Sequence, residues 1–357
     1  MRIGIVVDST CDLPESYFEK NNIQILPISI RLGDELLVDK RDAQATRRFY
    51  QEQLDSEGIH AESIPYSVDQ IQAVFLEQLV IDYDLVFCIT VSGKRSLIFD
   101  NATKASFSIL KQYQKVRADA GVPGPFSMRV IDSKTLFSGT AVLVCEVAKM
   151  IKQGANRNAI RLRIDEMLPH ICGYMVPEKL AYVRDRGFKK GERKSFSDSM
   201  RGVALTVGSA LSMHPVIRIH SGEENPATVN RSYEKSVRRI LEHVAKQIRA
   251  GKLMSGHVCL SYAGDAARVP TMPGYAELEA AAREHDVQLL VSTMSPTGAI
   301  NVGAGCLFVA FASQDDEFEE RGGPRAAPPR FPPRRPGRRR SPAGPAVTAP
   351  SSGRCRR

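Results

Sequence analysis

Three short stretches gather hydroxyls and carboxylates at the ends of apolar runs: Asp8-Ser9-Thr10-Cys11-Asp12, Ser92-Gly93-Lys94-Arg95-Ser96 and Asp132-Ser133-Lys134-Thr135. Residue types of this kind fit two chemistries. In the middle stretch an apolar run, 85–91, leads through the small polar residues into a helical pattern over 97–110, so Ser92 and Ser96 fall where a helix begins. The N–H groups of the first turn lack helical acceptors, and the positive end of the dipole points the same way. An anion can sit there with a serine hydroxyl completing its shell. A serine cap that holds nothing is the commoner use of such a turn. The other chemistry is a metal or phosphate held by Asp8, Asp12 and Asp132.

Nucleophile and cofactor signatures are absent. The chain has no Walker A sequence and no G-x-S-x-G elbow, and its Gly303-Ala304-Gly305 lacks the third glycine of a dinucleotide fingerprint. The seven histidines never form a tight metal pair, and the seven cysteines are scattered singly, several within apolar runs, as buried free thiols would be. No metal and no cofactor is expected, and hydroxyl-rich turns without a nucleophile–base set suit binding better than catalysis.

Alternating short apolar runs and helical patterns position these turns. Residues 2–7, 23–30, 36–38, 85–91 and 128–131 read as strands, and 15–21, 43–54, 68–79, 97–110 and 136–153 as helices. Glu62-Ser63-Ile64-Pro65-Tyr66-Ser67 reads as a second polar loop whose Ser67 caps the helix that follows. This alternation predicts an α/β layer with a mostly parallel sheet, and such sheets bind ligands at the carboxyl ends of their strands. The turns after Val7, Val91 and Ile131 then share one edge. Farther on, 159–168, 232–250 and 276–284 read as helices, and 171–176, 216–219, 258–262, 287–291 and 306–312 as strands. Residues 184–201 read as an exposed charged segment, and 295–305 as a Gly-rich loop.

The net charge of +9 belongs to the end of the chain. From Arg321 onward there are 11 Arg, no Lys and no acidic residue, so +9 less 11 leaves −2 for the first 320 residues. A near-neutral folded part without Trp does not indicate a nucleic-acid groove. No apolar run reaches the roughly 20 residues of a membrane span, and the N-terminus does not read as a signal peptide, so the cytoplasm is the expected compartment, without stable membrane insertion.

The turn sequences also carry a resemblance. Asp8-Ser9-Thr10-Cys11-Asp12-Leu13-Pro14 after a strand, Ser63-x-Pro65, Val91-Ser92-x-Lys94-x-Ser96 and Val130-Ile131-Asp132-Ser133-Lys134 resemble the DegV family in order and rough spacing. Pro215-Val216-Ile217 and the late Gly-rich loop continue the order, over about residues 1–312. The resemblance implies two α/β domains, 1–155 and 156–312, with a lipid tunnel between them, and leaves 313–357 outside as a disordered Arg/Pro-rich tail. It further implies a carrier that does no chemistry alone: it holds a long-chain fatty acid and presents the carboxylate to a separate fatty-acid kinase. By that analogy Ser96 holds the carboxylate with Ser92 on the same turn, Glu62 and Ser63 pack beside it, and the loop at Asn301 closes over it. The rival function is a kinase- or transferase-like α/β enzyme using the Asp/Ser turns.

The chain departs from the family pattern at several of these points. Glu62 stands where Thr is usual, and a carboxylate there repels a second one unless one of them is protonated. Ser96-Leu97-Ile98 replaces Ser-Gly-Thr, Asn301-Val302-Gly303 replaces His-Thr-Gly, and Lys189-Lys190-Gly191-Glu192-Arg193 replaces the Gly-Gly-Arg region.

Overall fold

The computed structural model describes residues 1–52, 61–179 and 213–318. The charged segment 184–201, with Lys189–Arg193 inside it, and the Arg-rich stretch 321–357 lie outside the described residues. Strands β1 (Ile3–Asp8), β2 (Ile23–Leu26), β6 (Leu85–Thr90) and β7 (Ser127–Asp132) form an all-parallel sheet in the order β2-β1-β6-β7. Between them come β3 (Ile28–Leu32), β4 (Glu35–Asp39) and β5 (Ala61–Pro65), which pair antiparallel as a small sheet with β3 in the middle. Every residue of β6 is buried, as expected of an inner parallel strand covered on both faces. The register sets Val7 beside Ile89 and Thr90 beside Asp132, so the three hydroxyl-rich turns leave one edge together, as predicted.

Two readings of this half change. Residues 23–30 do not make one strand. Pro27, which has no N–H to give a ladder, separates β2 from β3, and the two halves join different sheets. The stretch from Glu62 is not a loop but strand β5, with Glu62 opposite Arg31 and Ser63 opposite Ile30. Ser67 does cap the next helix, in a reciprocal capping box with Gln70.

The remaining strands are β8 (Ile171–Val176), β9 (His214–His220), β10 (Glu223–Asn230), β11 (His257–Tyr262), β12 (Gln288–Thr293) and β13 (Leu307–Ala312). They form a mixed sheet, β10-β9-β8-β13-β11-β12, parallel only between β11 and β12. Strand β10 has no apolar run to announce it. It is an edge strand with Pro226 at a register shift, held to β9 across Ser221 and Gly222, both at positive φ. Residues 295–305 are not a loop throughout: Pro296–Val302 is a helix, with Ser295 Oγ accepting the Gly298 N–H at 2.9 Å and proline at its first position.

The helix Ser138–Lys152 is buried along all but its last turn and packs on strands of both larger sheets. One continuous apolar core joins Val91 and Ile131 of the first sheet region to Met175, Ile217, Ile219 and Phe308 of the second. Six cysteines, 11, 88, 145, 172, 259 and 306, are buried and free.

The chain does not loosen at Ser313. Residues 313–318 strap back onto the second sheet, where Asp316 accepts hydrogen bonds from Tyr174 Oη (2.6 Å) and Arg218 Nε (3.0 Å) and pairs with His243 Nε2 at 2.8 Å. A carboxylate with three partners and a side chain 1 % exposed is why this acidic stretch folds against the sheet.

Candidate functional site

The shared edge is a mesh of side chain to backbone bonds. Asp8 accepts from the N–H and the hydroxyl of Thr10 (2.9 and 2.6 Å) and from the Val91 N–H at 2.6 Å, so it ties the first turn to the middle one. Asp132 Oδ1 accepts from Gly93 N (3.1 Å) and Lys134 N (2.8 Å), tying the third turn to the same place. Ser92 donates its N–H to Thr135 O at 3.0 Å. Burial raises the Asp8 carboxyl above its usual range, against the pull of these hydrogen bonds.

These bonds bear on both chemistries. The carboxylates proposed for a metal or phosphate are engaged with backbone N–H groups. Among the described residues no group of three His, Cys, Asp or Glu side chains could hold a metal ion. The middle turn, in turn, has fewer open N–H groups than its sequence predicts. Arg95 N and Ser96 N both donate to Ser92 O (2.8 and 3.2 Å), and Ile98 N donates to Ser96 Oγ at 3.2 Å. The helix itself runs Ile98–Ser108. What the turn still offers is the Ser96 hydroxyl proton, on a half-buried side chain whose oxygen is already an acceptor.

Elements remote in sequence meet this turn and the helix after it. The turn reaches the β9–β10 hairpin through ion pairs of Lys94 with Glu223 and Arg95 with Glu224, the second almost wholly enclosed. Asn101 on the following helix donates to Tyr66 O, just past β5, at 2.8 Å. The Pro296–Val302 helix packs on β3 and β5. Its N-terminus is held by two carboxylates: Asp39 takes the Thr297 N–H (3.0 Å) and hydroxyl (2.7 Å), and Asp12 takes the Ser295 N–H at 2.8 Å. Thus contacts through the small sheet and the β9–β10 hairpin link the elements that carry Ser92, Ser96, Glu62, Ser63 and Asn301.

Their side chains are placed less uniformly. Ser92 is 2 % exposed, and its Oγ accepts the Lys94 N–H at 3.4 Å. Glu62 pairs with Arg31 at 3.3 Å on the small sheet, and Ser63 is exposed beside it. Asn301 sits in the last turn of its helix, not in a loop, and its amide donates to Thr297 O at 2.8 Å. A cleft of about 870 Å³ lies nearby, lined by Arg41, Tyr50, Tyr262, Arg268 and Thr293 among others, and by none of those five residues. Sequence reasoning missed the Arg95–Glu224 and Lys94–Glu223 pairs. Their one trace is two adjacent cations and two adjacent acids 129 positions apart, which no local pattern connects.

The DegV family model, described as "Uncharacterised protein, DegV family", matches residues 2–314. The chain belongs to the DegV family. A DegV domain-containing protein of Xanthomonas axonopodis pv. citri is 45 % identical over 318 residues, covering 89 % of this chain and 99 % of that one. The fold is shared with a solved stearic acid-binding protein from Eubacterium ventriosum (TM-score 0.69, 20 % identity, 87 % of this chain and 98 % of that chain). It is shared also with DegV, a fatty acid binding protein from Bacillus subtilis (TM-score 0.67, 19 % identity, 88 % and 100 %). Of the motifs that carried the resemblance in the sequence, the turns at Asp8, Ser92 and Asp132 are, in this DegV protein, the residues that lace the sheet edge together. No helix among the described residues is long and apolar enough to cross a membrane.

Proposed function

We propose that this DegV protein is a non-catalytic carrier that holds a long-chain fatty acid between an N-terminal lobe, 1–155, and a C-terminal lobe, 156–312. The observation that carries the reading is the Ser96 hydroxyl. It stands at the start of a helix on the carboxyl edge of the parallel sheet, on the turn that Arg95 ties to Glu224 of the second sheet, with its proton still to give. A carboxylate cannot be buried without partners. A hydroxyl supplies a hydrogen bond without a full counter-charge, which leaves the carboxylate oxygen nucleophilic. Ser92 shapes the turn, and Glu62, Ser63 and Asn301 stand on the elements around it.

The acyl chain enters the apolar layer shared by the two sheets, parting side chains such as Met175 and Ile219 from Val91 and Ile131. Sixteen carbons removed from water gain on the order of 10 kcal/mol gross, at about 0.8 per methylene, and much of this is offset by ordering the chain. A nucleophilic head group at the rim suits a carrier that hands its carboxylate to a separate ATP-using fatty-acid kinase in the cytoplasm. The relatives solved with this fold and described as fatty acid binding support the ligand class.

The test is mass spectrometry of organic extracts from protein purified out of an expressing cell. About one acyl chain of 14–18 carbons per protein is expected; protein that carries none, and takes up none when incubated with palmitate or oleate, overturns the reading.

A further inference from the structure

A second cleft, of about 500 Å³, lies away from the Ser96 turn. It is bounded by the Glu15–Lys20 helix, by the last turn of the Ser138–Lys152 helix, and by the first residues of β11 and β12. Its cations are Lys20, Lys149 and Lys152, none of which meets a carboxylate among the described residues, and no acidic residue lines it. The remaining walls are Ser16, Asn21, Gln153 and Gln288, which can hydrogen bond, over an apolar floor of Pro14 and Leu290.

At one wall stands His257, only 8 % exposed, whose Nδ1 is enclosed without a hydrogen-bond partner. Buried polar atoms are nearly always satisfied, so a lone enclosed ring nitrogen beside a cleft calls for an explanation. Burial lowers the His257 pKa, so at neutral pH the ring is uncharged and still has one N–H to donate. Cations in the last turn of a helix compensate its dipole, and all three lysines stand in last turns. The dipole does not require that both helix ends line one cleft without an acidic residue, beside a buried imidazole.

We propose that this cleft binds the phosphoryl group of a small soluble phosphomonoester, with Lys20, Lys149 and Lys152 neutralising the dianion and the His257 ring at the wall beside it. A dianion matches the charge better than a monocarboxylate does, and ammonium groups are suited to phosphate as compact point charges. The volume leaves room beyond a bare phosphate for a short organic portion against Leu290 and Pro14.

The experiment follows the His257 ring resonance, assigned by comparison with His257→Gln, while the full-length protein is titrated at constant ionic strength. Inorganic phosphate and glycerol 3-phosphate are the probes, and potassium chloride is the control. A saturable shift is expected with both phosphates and not with chloride, with glycerol 3-phosphate the tighter. The Lys149→Ala/Lys152→Ala double variant is expected to bind at least ten-fold more weakly. If that variant fails to fold, Lys20→Ala decides, with at least a three-fold loss. No saturable shift, or equal affinity in the lysine variants, overturns the proposal. So does a response to phosphatidylglycerol vesicles with none to the soluble phosphates, since that assigns the charge to a membrane surface.

Discussion

Two enclosed carboxylates in this molecule titrate in opposite directions. Asp316, in the strap that follows β13, is held down to about 2: burial opposes its charge, but His243, Tyr174 and Arg218 together outweigh burial. Asp12, at the seam between the parallel sheet and the Pro296–Val302 helix, is pushed up to about 6: burial outweighs Arg41 and the Ser295 N–H. The geometry gives the reason. Asp316 is matched by three side chains. At the seam, Arg41 Nη1 is 3.2 Å from Asp12 Oδ1, yet Asp12 Oδ2 and Arg41 Nε find no hydrogen-bond partner among the described residues. Net stabilisation from a buried pair depends on satisfying its remaining lone pairs and protons. The strap does this and the seam does not. One is built to hold the fold. The other keeps unmatched polar atoms beside the 870 Å³ cleft and the elements of the proposed ligand site.

The same substitution at the two positions tests that difference. Asp316→Asn removes a charge that Arg218, His243 and the Tyr174 phenol hold in place, so it should lower unfolding stability by about 2–3 kcal/mol at pH 7. Asp12→Asn removes a charge that burial disfavours and keeps an acceptor for the Ser295 N–H, so its effect should stay within about 1 kcal/mol. Urea denaturation with an unchanged m-value reads both. Equal losses would erase the distinction between strap and seam.

The pH dependence sharpens it. With its pKa depressed in the folded state, Asp316 contributes stability that is present above about pH 4 and is lost as pH falls toward 2. Asp12 has the opposite sign. Its raised pKa means that the folded state holds the proton more tightly, so its contribution is full below about pH 4 and is lost as pH rises through about 6. Two units correspond to roughly 3 kcal/mol across that window. Stability of the wild-type protein minus that of Asp12→Asn should therefore fall between pH 4 and 6. A flat difference would mean that Arg41 fully compensates the charge.

Most of the scaffold was legible in the sequence, and the seam was not, for one physical reason. The parallel strands announce themselves by apolar runs, and their turns by local hydroxyls and carboxylates, because period and turn chemistry act over a few residues. Pro27 was a local signal for the break between β2 and β3. Ser295-Pro296 likewise signals a helix start, although Gly298 and the glycines at 303 and 305 obscure it. Gly298 answers to packing: a Cβ there would come within 2.9 Å of Phe137. Strands β5 and β10 are short of apolar residues because they lie at sheet edges. Their partners alone reveal them, as Arg31 does for Glu62. The Asp12–Arg41, Asp39–Thr297 and Arg95–Glu224 contacts join residues far apart in the chain, and no spacing rule reaches them. The acidic run at 315–320 reads as the start of a tail, yet Asp316 finds its place through residues from β8, β9 and the helix Tyr233–Arg249.

The Ser96 turn bears most directly on the proposed ligand. Ser96 and Ser92 share one turn, but only Ser96 is half-open; Ser92 is enclosed, with its oxygen on the Lys94 N–H. A hydroxyl proton donated to a carboxylate is a charge-assisted bond, worth roughly 1.5–3 kcal/mol, or about ten- to hundred-fold in affinity. Ser96→Ala should therefore weaken palmitate or oleate binding at least about ten-fold by displacement of a fluorescent fatty acid, while Ser92→Ala, which loosens the turn without touching the head group, costs less than about three-fold. Ser96→Ala also removes the acceptor of the Ile98 N–H, so unfolding stability of both variants separates lost binding from a frayed helix start. Equal losses of affinity would take the carboxylate away from residue 96 and leave the turn as part of the seam alone.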